Sequence, residues 1–301
     1  MKNCLLLVAT ALFFLFQAES TFAKQFEIPK FESGSSKLVK EKFADLSFTG
    51  PFSKGQEFSV ADNPILLPPS MSGAAVVIVP GCTGVQSYNE NDMLRWSEVF
   101  LAEGYVVAIV NPTISPRPKK NCGGKKSQSA SRGVKDIYDA VTAAASIDGV
   151  DKTKIFVIGF SLGAQNGAKA IWQKNIDIAV KNELATPAGV IGIYGGCQYG
   201  DGRPSKKYVY KDTILPLLWL MGGKDTEAPP KSCRVLKAIN KKNKLSQSHL
   251  YKGATHCWDC KGLDGFKKKA GNGDPVIYKF DAEVTKDSEK RALSFISSIL
   301  N

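Results

Sequence analysis

The amino-acid sequence predicts an α/β fold: a mostly parallel central sheet with helices on both faces. Three observations lead there. Short, fully apolar runs rich in β-branched residues recur along the chain, and stretches of helical period separate them. A strand without polar alternation belongs in a sheet covered on both sides. The alternation of such strands with helices is the pattern of crossover connections between parallel strands. Length and composition agree, since 301 residues at 43% hydrophobic suit a large domain with a full core.

The elements follow in order. Residues 24–69 are mixed, with Gly50-Pro51 and Pro68-Pro69, and read as short antiparallel strands at one sheet edge. Residues 75–79 (Ala-Val-Val-Ile-Val) are a buried strand, 93–102 an amphipathic helix and 105–110 the next strand. Residues 132–145 are helical, with Val134, Ile137, Tyr138 and Val141 on one face. A strand at 155–158 and a helix at 164–173 flank Ser161. Strands at 190–194, 215–221 and 249–251, and helices around 235–239 and 288–300, complete the chain. No internal repeat or low-complexity linker divides it, so residues 24–301 are expected to form a single domain.

Residues 1–23 are expected to be a signal peptide. Lys2 gives a positive start, residues 4–16 an apolar run, and Thr21-Phe22-Ala23 a small-residue cleavage site. The run is short for a membrane span, so stable membrane insertion is not expected. Export, to a periplasm or the exterior, makes disulfides the default for Cys82, Cys122, Cys197, Cys233, Cys257 and Cys260. Spacing alone fixes no pairing. The preferred set is Cys82–Cys122, Cys197–Cys233 and Cys257–Cys260, the first two joining loops expected at one end of the sheet. The formal charge of +12 comes with lysine clusters such as Lys119-Lys120 and Lys267 to Lys269. No aromatics interleave with them and no nucleic-acid motif is present, so a solvated surface is the reading and nucleic acid is not an expected partner.

The chemistry centres on Gly159-Phe160-Ser161-Leu162-Gly163, which follows an apolar strand and opens a helical stretch. A strand–turn–helix of this kind pushes a serine out at the strand's carboxyl end, and glycines two positions either side remove the clashes of so sharp a turn. A serine hydroxyl needs a base to take its proton, usually histidine. The chain has two histidines. His249 lies within a strand pattern, whereas His256 follows that strand in a loop facing the Ser161 end of the sheet, so His256 is the expected base. Asp225, after the strand ending Leu220-Met221 and the turn Gly222-Gly223-Lys224, is the expected acid, with Asp201 and Asp259 as rivals. Backbone N–H groups of Leu162 and Cys82 are the expected oxyanion donors, the latter in Pro80-Gly81-Cys82-Thr83-Gly84, with Thr83 as the alternative second donor. Thr83, Tyr88, Arg117 and Trp258 are candidate substrate-binding residues. With a neutral histidine as base, activity should fall around its ordinary pKa of roughly 6.5.

Together these residues resemble the dienelactone hydrolase family of α/β-hydrolases, over about residues 70–300. The likeness rests on an ordered series: Val76 to Gly84, Ser115-Pro116-Arg117 with Asn121-Cys122-Gly123-Gly124, Val150-Asp151, the turn around Ser161, Gly223-Lys224-Asp225, Gly253-Ala254-Thr255-His256, and Phe280-Asp281-Ala282. The resemblance implies an α/β-hydrolase fold and hydrolysis of a small or medium ester or lactone through a covalent acyl-enzyme, with neither metal nor organic cofactor. Position 161 is serine where the founding members carry cysteine, and Pro80 stands in place of a histidine, so a serine esterase is expected. Alternatives from other classes are a peptidase on the same fold, a non-catalytic binding module, and a thiol oxidoreductase using Cys257 and Cys260, whose Cys-x-x-Cys spacing suits a dithiol.

Overall fold

In the computed structural model, residues 65–85, 90–110, 130–198, 207–269 and 273–301 are described. The expected leader and the edge segment before residue 65 therefore lie outside the described residues, as do Tyr88, Arg117, Cys122 and Asp201.

Nine strands and six α-helices occur among the described residues. Seven of the strands form the central sheet: β1 (Ile65–Leu66), β2 (Ala75–Val79), β3 (Val106–Ile109), β4 (Ile155–Phe160), β5 (Gly189–Ile193), β6 (Leu217–Gly222) and β7 (Gln247–Tyr251). Their spatial order is β1-β3-β2-β4-β5-β6-β7. Every neighbouring pair is parallel except β1 with β3, which matches the antiparallel edge expected for the early segment. A second sheet is a hairpin of β8 (Lys267–Lys269) and β9 (Pro275–Ile277).

The helices are α1 (Glu90–Ala102), α2 (Ala130–Ala145), α3 (Leu162–Ala170), α4 (Gln173–Lys181), α5 (Val235–Lys242) and α6 (Ala282–Leu300). Side-chain alternation along each strand divides the core into two layers. Ala75, Val77 and Val79 of β2 pack with Val134, Ile137, Ala164, Ala168, Leu236 and Ile239, under the face covered by α2, α3 and α5. Val76 and Ile78 join Trp96, Phe100, Phe156, Phe295 and Ile296, under α1 and α6. Both faces of β2, β4 and β5 are buried, which is why these strands carry no polar alternation.

Elements the sequence reading did not include are α4 and the β8–β9 hairpin. Trp172, with φ −69° and ψ 133°, interrupts the chain between α3 and α4 without any proline or glycine to mark the break. Strand β8 is three exposed lysines, a composition that reads as solvated surface, and it exists through its pairing with β9.

The chain turns back at β2: β3 lies on one side of it and β4 on the other. Crevices at such switch points, outside the carboxyl ends of parallel strands, are where α/β sheets hold ligands. Trp219 on β6 anchors the half of the sheet that carries the Asp225 loop. It is fully buried, and its ring fills the space beside Gly192 of β5. Its indole N–H donates to the Gly195 carbonyl at 3.0 Å. Trp219→Ala should cost about 3–5 kcal/mol of stability, read as a lowered urea midpoint.

Candidate functional site

Ser161 sits at the junction of β4 and α3 with φ 52° and ψ −110°, a left-handed conformation for a residue with a side chain. Such backbone costs on the order of 1–3 kcal/mol and persists where the surroundings enforce it. They do so here through glycine. A Cβ on Gly163 would overlap the carbonyl oxygens of Val79 and Pro80, and one on Gly159 would overlap the Gly163 backbone. The turn thus packs backbone to backbone against the end of β2. Gly81 closes the same side, its Cβ direction facing the Ser161 Cβ at 3.5 Å. The Pro80–Gly84 loop and Leu162, the expected oxyanion donors, are in this way brought beside the serine. Ser161 makes no side-chain cap to α3.

Its hydroxyl lies 3.0 Å from Nε2 of His256 instead. Nδ1 of the same ring lies 2.8 Å from Asp225 Oδ2. His256 and Asp225 are both buried. Asp225 is in turn fixed by its other oxygen, Oδ1, which accepts from the backbone N–H groups of Glu227 and Ala228 at 2.9 and 2.8 Å. The loops carrying Asp225 and His256 are pressed together where glycines leave room. Gly222 and Gly223 lie against the backbone of Lys252, Ala254 and Thr255. The N–H of Gly223 donates to the Tyr251 carbonyl at 2.8 Å, and that of Lys224 to the Ala254 carbonyl at 2.9 Å.

Burial alone would disfavour the His256 imidazolium, but Asp225 and then Glu227 outweigh it, and the ring is held above the ordinary histidine pKa. Tyr194, also at positive φ, packs against the imidazole at a tilt of 57° with ring centroids 4.8 Å apart, and the Tyr278 ring lies 5.5 Å away. Glu227, Tyr194, Tyr278 and Lys268 were not singled out in the sequence. Only the position of Glu227, two residues past Asp225, could have drawn attention to it.

The remaining candidates separate. Asp259 is fully buried and turns away from the histidine: its Oδ2 accepts from the Trp96 indole N–H at 2.7 Å and from Arg95 at 3.3 Å. Arg95 also pairs with Glu289 of α6. Burial first, and Asp259 second, push the neighbouring Asp92 carboxyl up to about 6. Trp258 corrects an expectation. It is fully buried and packs edge-on against Tyr194 at 5.0 Å and against Tyr251 at 5.3 Å, which places it in the core beside the site and not on an exposed binding surface. His249 is in β7, as expected, against the ring of Tyr251.

Disulfides join Cys197 to Cys233 and Cys257 to Cys260. Cys82 is also disulfide-bonded, and Cys122, its expected partner, lies outside the described residues. Cys257, Asp259 and Cys260 bring ligand-type atoms within 4.8 Å of one another. The two sulfurs are bonded to each other, however, which removes them as thiolate donors. No helix among the described residues is long and apolar enough to cross a membrane.

Because the space at Gly163 is already occupied by the β2 carbonyls, Gly163→Ala should lower stability by about 1–3 kcal/mol and displace Ser161 from His256. A fall in the thermal midpoint together with lost reactivity of Ser161 would show it.

The dienelactone hydrolase family profile matches residues 63–300. No curated protein matches the chain in sequence. Solved structures do match in fold. A candidate dienelactone hydrolase from Klebsiella pneumoniae subsp. pneumoniae MGH 78578 superposes with a TM-score of 0.58 at 16% identity, covering 78% of this chain and 92% of that one. A dienelactone hydrolase-like promiscuous phosphotriesterase from metagenomic libraries gives 0.52 at 15% identity, over 79% and 92%. Esterase 2 of Thermogutta terrifontis, with butyrate bound, gives 0.53 at 16% identity, over 79% and 88%. With an α/β-hydrolase sheet and a family match spanning nearly all the described residues, the chain belongs to the dienelactone hydrolase family and is a carboxylic ester hydrolase.

Proposed function

We propose that the protein cleaves a small or medium carboxylic ester or lactone through Ser161, His256 and Asp225, by way of an acyl-enzyme on the serine. The observation that carries this is the unbroken line from Asp225 Oδ2 to Nδ1 at 2.8 Å and from Nε2 to Ser161 Oγ at 3.0 Å. His256 takes the Ser161 proton as Oγ attacks the ester carbonyl. Asp225 fixes the ring with Nε2 towards the serine and stabilises the imidazolium that forms. The backbone N–H groups of Leu162 and Cys82 hold the oxyanion, at the start of α3 where the helix dipole favours negative charge. The imidazolium then protonates the leaving alcohol. Water, deprotonated by the same ring, releases the acid. Thr83, and Arg117 and Tyr88 beyond the described residues, are assigned to substrate contact. No step calls on a metal or organic cofactor.

The residue 1–23 pattern and the disulfides support an exported enzyme acting as one catalytic domain. Cys257 and Cys260 are both buried, which leaves a protein dithiol partner little surface to attack and disfavours thiol exchange as the activity.

Ser161→Ala should lower p-nitrophenyl ester turnover by on the order of 10⁶ and abolish labelling by a fluorophosphonate, with little change in the thermal midpoint. Wild-type turnover in that variant would refute the assignment. Intact protein that never reacts with the probe would indicate a binding module. The base works only when neutral, so the rate falls as pH drops through the His256 pKa. With that pKa raised by Asp225 and Glu227 against the effect of burial, the acid limb of kcat/KM should lie above the roughly 6.5 of a free histidine. A limb at or below that value would contradict the site geometry.

A further inference from the structure

Glu227 is not part of the Ser–His–Asp line, yet three separate elements converge on it. Its backbone N–H holds Asp225 Oδ1 at 2.9 Å. Its carboxylate Oε2 lies 3.8 Å from Nε2 of His256, the nitrogen that faces Ser161. Lys268 of β8 donates to Oε1 at 2.8 Å, and the Tyr278 hydroxyl, just past β9, donates to Oε2 at 2.8 Å. The hairpin bearing these donors is tied to the same turn by Thr226, whose hydroxyl donates to the Pro275 carbonyl at 2.7 Å.

The distances assign the carboxylate a particular task. At 3.8 Å it stands outside N–H···O hydrogen-bond range, so it does not draw Nε2 away from the serine. It is well inside the range over which an opposite charge stabilises a cation. Lys268 and Tyr278 occupy its oxygens and prevent it from closing on the ring. A neutral imidazole feels little of this charge, whereas an imidazolium feels it fully. The benefit therefore falls on the tetrahedral states, where His256 is protonated, and not on the resting enzyme while its ring is neutral.

Resting on the Ser161–His256–Asp225 reading, we propose that Glu227 is a positioning residue for the base, a second carboxylate that stabilises the His256 imidazolium from the serine side while the β8–β9 hairpin holds it at a fixed distance. Burial acts to raise the Glu227 carboxyl, but His256, Lys268 and Tyr278 together outweigh it and keep it below the ordinary glutamate range, hence ionised. The groups facing His256 are Asp225 and Glu227, which raise its pKa, Lys268, which lowers it, and the rings of Tyr194 and Tyr278.

Two substitutions of opposite sign test the role. Glu227→Gln keeps size and shape and removes the negative charge, so the acid limb of kcat/KM should move to lower pH. Its kcat on the alkaline plateau should fall about tenfold, the loss expected of one modest transition-state interaction, with KM nearly unchanged. Lys268→Met removes the opposing cation and should move the limb to higher pH. A merely structural role predicts no movement, or movement in one direction in both variants, and either result overturns the proposal. If Glu227→Gln does not fold, Glu227→Ala takes its place: a limb moved to lower pH supports the role and an unmoved limb overturns it. Ser161→Ala, assayed in parallel, keeps the two readings apart. Turnover surviving in that variant defeats the triad itself, whereas an inactive Ser161→Ala beside an unmoved Glu227→Gln limb defeats only the role of Glu227.

Discussion

The imidazole of His256 has two nitrogens and must satisfy both at once, and the architecture around it follows from that requirement. Nδ1 is committed to Asp225, so Nε2 is left to face Ser161. A ring so placed is buried, and burial works against the positive charge it would carry. Carboxylates offset that cost, and carboxylates in such a place need donors of their own. Asp225 has two backbone N–H groups, while Glu227 has Lys268 and Tyr278. Charge is thus balanced in successive layers from the ring outward, and each layer recruits a different element of the fold.

Backbone contact sets the geometry that side chains then use. The turn at Ser161 keeps its positive φ because Gly163 abuts the last carbonyls of β2. The Asp225 and His256 loops keep their spacing because Gly222 and Gly223 lie on the backbone of residues 252–255. These contacts involve main chain on both sides, so rotamer changes cannot relax them. A parallel sheet supplies the frame: β4, β6 and β7 all end at the same edge, and residues far apart in sequence arrive there with little loop to order.

What could be read from the sequence follows from which constraints are local. Strands β2, β4 and β5 are legible because burial on both faces leaves an unbroken apolar run. Ser161 is legible because a sharp turn demands glycine at fixed offsets, Asp225 because it follows the apolar run of β6, and His256 because it follows β7 in a loop while the other histidine lies inside that strand. The closing helix, expected at 288–300, begins earlier, at Ala282, where the Asp281 side chain caps it by accepting from the Val284 N–H. Less legible was anything set by the partner across space. Trp258 was a candidate for substrate contact, yet its neighbours Tyr194, just past β5, and Tyr251 of β7 lie against its ring in the core. Lys268 belongs to a run of lysines in which nothing local distinguishes the one that meets Glu227. The break between α3 and α4 is likewise invisible, since Trp172 leaves the helix without a breaking residue.

The last helix has a mechanical tie to the base. Its cap, Asp281, donates its own N–H to the Trp258 carbonyl at 2.8 Å, and the Thr285 hydroxyl donates to the same oxygen at 3.2 Å. Two residues upstream of that oxygen is His256, and the disulfide between Cys257 and Cys260 stiffens the span that joins them. The start of α6 is thereby linked to the imidazole through a few bonds, while its later turns bury Phe295 and Ile296 in the core. The placement of the imidazole is therefore coupled to the docking of one helical turn.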